Sequence, residues 1–145
     1  MTITSPAFAD GQPIPKKYTC DGDGVNPPLA FSGVPKEAGS LALVIDDPDA
    51  PSGTWTHWTL WNIDPATLLI AENSVPSGAV QGQTSSGQNA YGGPCPPSGT
   101  HHYYFKLYAL DSKLTIPSFA DSRALAQALN GHVMSQAQLV GTYSR

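Results

Sequence analysis

Two strand-like runs on either side of an acidic, proline-containing stretch constrain this fold more than any other part of the sequence. Residues 41–45 read Leu-Ala-Leu-Val-Ile, residues 46–51 read Asp-Asp-Pro-Asp-Ala-Pro, and residues 55–62 read Trp-Thr-His-Trp-Thr-Leu-Trp-Asn. Both runs are rich in β-branched and aromatic residues and are bounded by Pro, Gly or Asp, which is typical of β-strands. In an antiparallel pair, the end of the first strand lies beside the start of the second. We therefore expect Asp47, Asp49 and His57 to meet at one edge of a sheet.

Alternation of side chains divides the second run between two faces of that sheet. One face is predicted to carry Trp55, His57, Thr59 and Trp61, and the other Trp58, Leu60 and Asn62. Polar side chains backed by large aromatic residues are typical of a small-molecule pocket. We expect Trp55 to belong to that pocket, and Trp58 and Trp61 to belong to the core.

A third strand is predicted at residues 101–110, directly after a turn-rich segment at 91–100. Alternation predicts one face composed of His101, Tyr103, Phe105, Leu107 and Ala109. The polar start of this strand follows a loop rich in Pro and Gly, and His57 also lies close to a turn. The two histidines are therefore compatible with a single pocket.

Length and composition favour one mainly β domain over residues 1–145. A chain of this size buries roughly 70% of the surface that it exposes when unfolded, which is enough for a hydrophobic core. Its 14 Gly and 14 Pro residues indicate many turns and few long helices. One helix is predicted, from Asp121 or Ser122 to about Gln136. Its apolar stripe is expected to contain Leu125, Ala128, Leu129, His132 and Val133, with His132 in a packing role.

Charge and hydropathy argue against two classes of partner. The net charge is −4 and no run of Lys or Arg occurs, so a nucleic-acid surface is not expected. No run of 18 apolar residues occurs, and the first residues lack the charged and apolar regions of a signal peptide. We therefore expect a cytoplasmic protein without a membrane span. Short strands are predicted at residues 2–8 and 80–83, and the long loop at 64–99 is expected to be functional.

The two cysteines, Cys20 and Cys95, leave two alternatives open. Neither lies near another cysteine in sequence, so the CxxC patterns of zinc and redox sites are absent. A reducing cytoplasm favours free thiols. The number of cysteines is even and both lie in loops rich in Pro and Gly, so a disulfide bond remains the alternative.

Several ordered motifs resemble those of the phosphatidylethanolamine-binding protein family. They are Asp-Pro-Asp-Ala-Pro at 47–51, Trp-Thr-His-Trp at 55–58, and Gly-Pro-Cys-Pro-Pro at 93–97 leading to His-His-Tyr at 101–103. The opening segments at 18–24 and 26–29 resemble the bacterial and archaeal branch, which is called Raf kinase inhibitor-like. The resemblance implies a large antiparallel sheet, a smaller sheet and one C-terminal helix that together enclose a small anion-binding pocket. It also suggests a homodimer, and a kinase or protease as a target.

The resemblance assigns eight residues to the pocket, by position in the matching motifs. They are Asp47, Trp55, His57, Tyr91, Gly93, Pro96, His101 and Tyr103. It also suggests a cis peptide bond at Asp47-Pro48, at Ala50-Pro51, or at both. The family motif usually has Arg after the second histidine, where this chain has His102. Alternation directs His102 away from the pocket. On that outer side we expect it to brace the acidic loop, residues 46–51, through Asp49.

The residue types at this site allow three classes of function. Two imidazoles and a tyrosine hydroxyl can donate hydrogen bonds to a phosphorylated or anionic head group, while Asp47 orients one histidine. The first class is therefore a binding protein, without a cofactor. The second is a metal-assisted hydrolase using Asp47, His57 and His101, although neither a nucleophile motif nor a fixed spacing of metal ligands is present. The third is an interaction module that uses a sheet edge or the 64–99 loop.

Overall fold

The computed structural model describes residues 1–145 as nine β-strands, one α-helix and a short 3-10 helix. In chain order these are β1 (Thr2–Thr4), β2 (Gln12–Pro13), the 3-10 helix (Lys16–Tyr18), β3 (Leu29–Ser32), β4 (Ser40–Asp47), β5 (Trp55–Ile63), β6 (Leu69–Ile70), β7 (Val80–Gln81), β8 (Thr100–Leu110), α1 (Ser122–Leu129) and β9 (Val133–Ser144). The three strands predicted most strongly from composition are present as β4, β5 and β8. The predicted strand at 2–8 is shorter, and the 64–99 loop contains the additional strand β6.

The strands form two sheets of unequal size. The large sheet has the order β2-β9-β8-β4-β5-β7, and the small sheet has the order β1-β3-β6. All pairs are antiparallel except β2 with β9, which are parallel at one edge of the large sheet. This confirms the predicted mainly β architecture with a large sheet, a small sheet and one helix. No helix is long and apolar enough to cross a membrane.

The large sheet packs against other elements on both of its faces. On one face, residues such as Ile45 and Phe105 form a single apolar cluster with Ile3 and Phe31 of the small sheet. On the other face, a smaller cluster joins the sheet to Leu125 and Leu129 of α1. Trp58 belongs to the first cluster and Trp61 to the second, as predicted, and both are almost inaccessible to solvent. Burial on both faces holds β4, β5 and β8 in fixed positions at the edge where the polar residues gather.

The helix is shorter than the sequence predicts. The carboxylate of Asp121 caps it by accepting a hydrogen bond from the Ala124 amide at 2.9 Å. It ends at Leu129 and is followed by Gly131, whose φ of +83° suits glycine. The expected continuation to Gln136 is wrong, because residues 133–144 form β9 instead and pair with β8 along its length. This long-range pairing outweighs the helical spacing of the apolar residues.

His132 and the proline bonds also differ from expectation. The His132 side chain is exposed and its Nδ1 lies 2.8 Å from Asp111 Oδ1, so its predicted packing role is wrong. Every peptide bond is trans, including those before Pro48 and Pro51, so the cis prediction is wrong as well. The turn of the acidic loop is instead stabilised by a side-chain hydrogen bond, in which Asp47 Oδ1 accepts from the Asp49 amide at 2.8 Å.

Candidate functional site

A pocket of about 350 Å³ lies where the end of β4 meets the starts of β5 and β8. Seven of the eight predicted site residues line it, and these are Asp47, Trp55, His57, Gly93, Pro96, His101 and Tyr103. The eighth, Tyr91, lies behind the wall and not in it. The antiparallel register explains this convergence, because Asp47 pairs with Trp55 while Asp46 pairs with Tyr104 across β8.

The buried Asp47–His101 pair forms the floor of the pocket. His101 Nδ1 lies 2.6 Å from Asp47 Oδ2, and the two side chains are only 9% and 5% exposed. The second oxygen of Asp47 accepts from the Asp49 amide. Because a carboxylate accepts, His101 Nδ1 carries a proton. His101 Nε2 is therefore the ring nitrogen available to the pocket, where it donates when the imidazole takes a second proton.

His57 enters the pocket through an irregularity in β5. Ile45 pairs with Trp58 but Asp46 pairs with Thr56, so one extra residue, His57, is inserted at this point. The bulge places the His57 ring in a T-shaped contact with Tyr103 at a centroid distance of 5.2 Å. The prediction that His57 shares a face with Trp61 is therefore wrong, because simple alternation does not allow for the bulge.

The His57 ring is held by the backbone of the next loop. Its Nδ1 lies 2.8 Å from the carbonyl oxygen of Gly92, while the Gly92 amide donates to the His57 carbonyl at 2.9 Å. Burial lowers the pKa of His57, against the opposing effects of the Gly92 hydrogen bond and the Asp47 charge. Burial thus favours the neutral form of the His57 imidazole.

Two tyrosines have different positions around the pocket. Tyr103 is completely buried, and its hydroxyl has no partner within the protein. Burial, together with the charges of Asp47 and Asp49, raises the pKa of Tyr103, which keeps the hydroxyl protonated. The Tyr91 hydroxyl instead donates to the Tyr18 carbonyl at 2.8 Å. Tyr91 therefore supports the loop that forms the wall, and Tyr103 presents an unpaired donor.

A disulfide bond between Cys20 and Cys95 holds that wall in place. Of the two alternatives left open for the cysteines, the structure has the disulfide bond, because the fold brings two loops 75 residues apart into contact. The Cys20 amide donates to the Pro94 carbonyl at 3.1 Å. A Cβ atom at Gly93 would lie 2.8 Å from the Tyr18 carbonyl oxygen, so only glycine fits there.

His102 and Asp49 lie outside the pocket, on the other face of β8. Asp49 Oδ2 accepts from the His102 amide at 2.9 Å and lies 2.7 Å from His102 Nδ1. These hydrogen bonds lower the pKa of Asp49. Both side chains are close to half exposed. The contact expected between the acidic loop and His102 is present, with the histidine directed away from the ligand side.

The sequence reasoning missed three hydroxyl residues that line the pocket, Thr56, Thr84 and Ser86. Thr84 and Ser86 belong to a loop that is attached to β5, since the Thr56 amide donates to Ser85 Oγ at 2.8 Å. The run Thr-Ser-Ser at 84–86 inside a long loop was the available signal. Trp55 stands at the rim with 43% of its surface exposed.

Comparisons with known proteins agree on one family. The family model for phosphatidylethanolamine-binding proteins matches residues 4–144. A UPF0098 protein of Methanothermobacter thermautotrophicus is 49% identical over 150 residues, which cover 100% of this chain and 99% of the relative. The crystal structure of CT736 from Chlamydia trachomatis superposes with a TM-score of 0.95 at 44% identity, over 99% of this chain and 97% of that one. Escherichia coli YbcL, described as a member of the mammalian PEBP family, gives 0.93 at 31% identity, over 99% and 98%.

Proposed function

The chain belongs to the phosphatidylethanolamine-binding protein family, and we propose that its pocket binds a phosphorylated or other anionic head group. The observation that carries the proposal is the Tyr103 hydroxyl, which is buried at the pocket wall without a partner. A buried polar group left unpaired costs about 1–3 kcal/mol. An oxygen of a bound ligand would satisfy this donor.

The remaining donors suit a small anion. His101 and Tyr103 both line the pocket. The hydroxyls of Thr84 and Ser86 lie in the same lining, but Thr84 donates to the Gln88 carbonyl and Ser86 Oγ lies 2.9 Å from Thr84 Oγ1, so their hydrogens are already engaged. No Lys or Arg lines the pocket, so the ligand would be held by hydrogen bonds and not by a permanently charged side chain. A volume of about 350 Å³ is at the small end for ligand sites, which favours a head group over a large molecule.

A titration with inorganic phosphate followed by tryptophan fluorescence tests the proposal, because Trp55 stands at the rim. We expect saturable binding that is strongly weakened in His101→Ala and in Tyr103→Phe. His132→Ala is the matched control, since His132 is exposed and contacts Asp111 on another part of the surface. Absence of saturable binding to the unmodified protein, or equal binding by all four proteins, would contradict the proposal.

We propose binding without catalysis. In the hydrolase alternative, Asp47, His57 and His101 would hold a metal ion. Here Asp47 contacts His101 directly, and His57 Nδ1 is engaged by the Gly92 carbonyl. No group of three or more His, Cys, Asp or Glu side chains is arranged to hold a metal ion. Metal analysis of the purified protein, together with a phosphatase assay, tests this part of the proposal.

Three further parts of the proposal are that the protein modulates a kinase or protease, that it acts in the cytoplasm, and that it forms a homodimer. The first and third come from the family resemblance, and the second comes from the hydropathy of the sequence. Inhibition assays, cell fractionation and sedimentation velocity test them in that order. The Cys20–Cys95 disulfide argues against the cytoplasmic location, because the cytoplasm usually keeps thiols reduced.

A further inference from the structure

The hydrogen bond between His57 and Gly92 determines which ring nitrogen carries the proton. A backbone carbonyl accepts and cannot donate, so the hydrogen between His57 Nδ1 and the Gly92 oxygen belongs to the ring. In a neutral imidazole the other nitrogen is then bare. His57 Nε2 has no hydrogen-bond partner in the protein, although His57 lines the pocket. It therefore presents a lone pair to the pocket.

The surroundings of His57 favour this neutral form. Burial disfavours a second proton on His57 and lowers its pKa, and the positive form of His101 acts in the same direction. Asp46 and Asp47 of β4 act in the opposite direction but do not outweigh burial. On the β8 side, the Tyr103 ring makes a T-shaped contact with His57 and brings no charge while the phenol is protonated.

We propose that the pocket selects an oxyanion that still carries a proton, because His57 Nε2 accepts a hydrogen bond from the hydroxyl of the ligand. The inference rests on the proposed anion site and specifies its ligand class. An oxyanion without a proton would set a charged oxygen against the lone pair of Nε2, which leaves both groups unsatisfied. The same ligand would donate at His57 and accept from the Tyr103 hydroxyl.

This requirement separates ligands of nearly identical shape. Inorganic phosphate keeps at least one hydroxyl at neutral pH, whereas sulfate has none. A phosphomonoester keeps its hydroxyl only below its second ionisation, near pH 6. A phosphodiester, the form found in phospholipid head groups, has no hydroxyl on phosphorus at any of these pH values. Free phosphate and acidic monoesters are therefore expected to bind, and sulfate and diesters to bind weakly.

Paired titrations of the unmodified protein test the inference. At pH 7 and constant ionic strength, sulfate is expected to bind at least about tenfold more weakly than inorganic phosphate. At pH 5.5, methyl phosphate is expected to bind more tightly than dimethyl phosphate by a similar factor. The second pair also distinguishes a free phosphomonoester from a phospholipid head group as the source of the ligand.

Replacing His57 by Gln tests the role of the ring nitrogen. The amide of Gln can turn its NH2 group toward the ligand, so His57→Gln is expected to reduce the preference for phosphate over sulfate. His132→Gln is the matched control and should keep the preference. Nitrogen NMR of the ligand-free protein gives an independent measurement, in which His57 should show a protonated Nδ1 and an unprotonated Nε2. It remains decisive if His57→Gln does not fold.

The outcomes distinguish this inference from the proposed function. If neither phosphate nor sulfate binds, the anion site itself is refuted and the inference falls with it. If both bind equally and Tyr103→Phe weakens both, the anion site stands and the requirement for a proton is wrong. A protonated His57 Nε2 in the NMR spectrum at pH 7 also overturns the inference.

Discussion

His101 and His102 are neighbours in β8, and each contacts an aspartate of the same acidic loop at nearly the same distance. His101 Nδ1 lies 2.6 Å from Asp47, and His102 Nδ1 lies 2.7 Å from Asp49. The first pair is buried in the pocket floor, whereas the second is about half exposed on the opposite face. Alternation of a β-strand alone separates them. Two histidine–aspartate contacts of nearly equal length are therefore expected to contribute differently to stability, because one is buried and the other is exposed to solvent.

Reduction of the disulfide bond is expected to cause the largest loss of stability. It acts on the wall of the pocket, where the buried Asp47–His101 pair lies. Cys95 lines the pocket, and the bond to Cys20 closes a loop of 75 residues. The chain-entropy model predicts a loss of about 4 kcal/mol in the free energy of unfolding. Urea unfolding with and without reductant measures the loss, and phosphate affinity should fall in parallel.

The double variant Cys20→Ser with Cys95→Ser is the control for reduction. It should match the reduced protein in stability and should not respond to reductant. A protein whose unfolding and phosphate affinity are both unaffected by reductant would show that the wall does not depend on the disulfide bond.

Removal of the two carboxylates tests the comparison directly. Asp47→Ala leaves His101 buried without its partner and also removes the acceptor of the Asp49 amide, so a loss of about 3 kcal/mol is expected. Asp49→Ala removes a half-exposed contact and should cost no more than about 1 kcal/mol. Urea unfolding at pH 7 measures both losses. Equal losses would mean that burial does not distinguish the two pairs.

Local sequence predicted the elements that form the pocket. Residues 41–45, 55–62 and 101–110 have strand composition that their tertiary contacts reinforce, so β4, β5 and β8 appear where expected. The strand pattern brings Asp47, His57 and His101 to one pocket for this reason, whereas Gly93 and Pro96 were assigned to it only by the family motifs. Period-2 alternation also separated His101 from His102 correctly, because no bulge interrupts this part of β8.

Features that depend on distant contacts could not be predicted in this way. β9 has helical spacing of apolar residues at its start and becomes a strand only by pairing with β8. The extra residue at His57 depends on the register between β4 and β5, which composition does not encode. The disulfide bond joins two loops whose approach is set by the whole fold. The parallel pairing of β2 with β9 has the same origin.

The dependence of stability on pH should also reflect the buried pocket, because His57 is buried there. The unfolded chain protonates this histidine near pH 6.5, whereas burial lowers the pKa in the folded protein. Below about pH 6.5 the unfolded state therefore binds more protons at His57 than the folded state does. The contribution of His57 to the free energy of unfolding is thus present above this pH and is lost as the pH falls. Urea unfolding between pH 8 and pH 5 should show a decline that is smaller in His57→Gln. A parallel decline in both proteins would assign the pH dependence to other groups.

The smallest effect is expected on the exposed side, where His102 replaces the arginine that usually follows the second histidine in this family. A guanidinium stays charged and can bind Asp49 through two parallel hydrogen bonds, whereas His102 offers Nδ1 and its backbone amide to a single carboxylate oxygen. His102→Arg should therefore stabilise the fold by up to ~1 kcal/mol. Ligand preference should not change, because this side chain lies on the face of β8 that is turned away from the pocket. Thermal melts and phosphate titrations of the two proteins at pH 8 measure both quantities. A less stable His102→Arg protein, or one with an altered preference between phosphate and sulfate, would show that the exposed pair does more than brace the acidic loop.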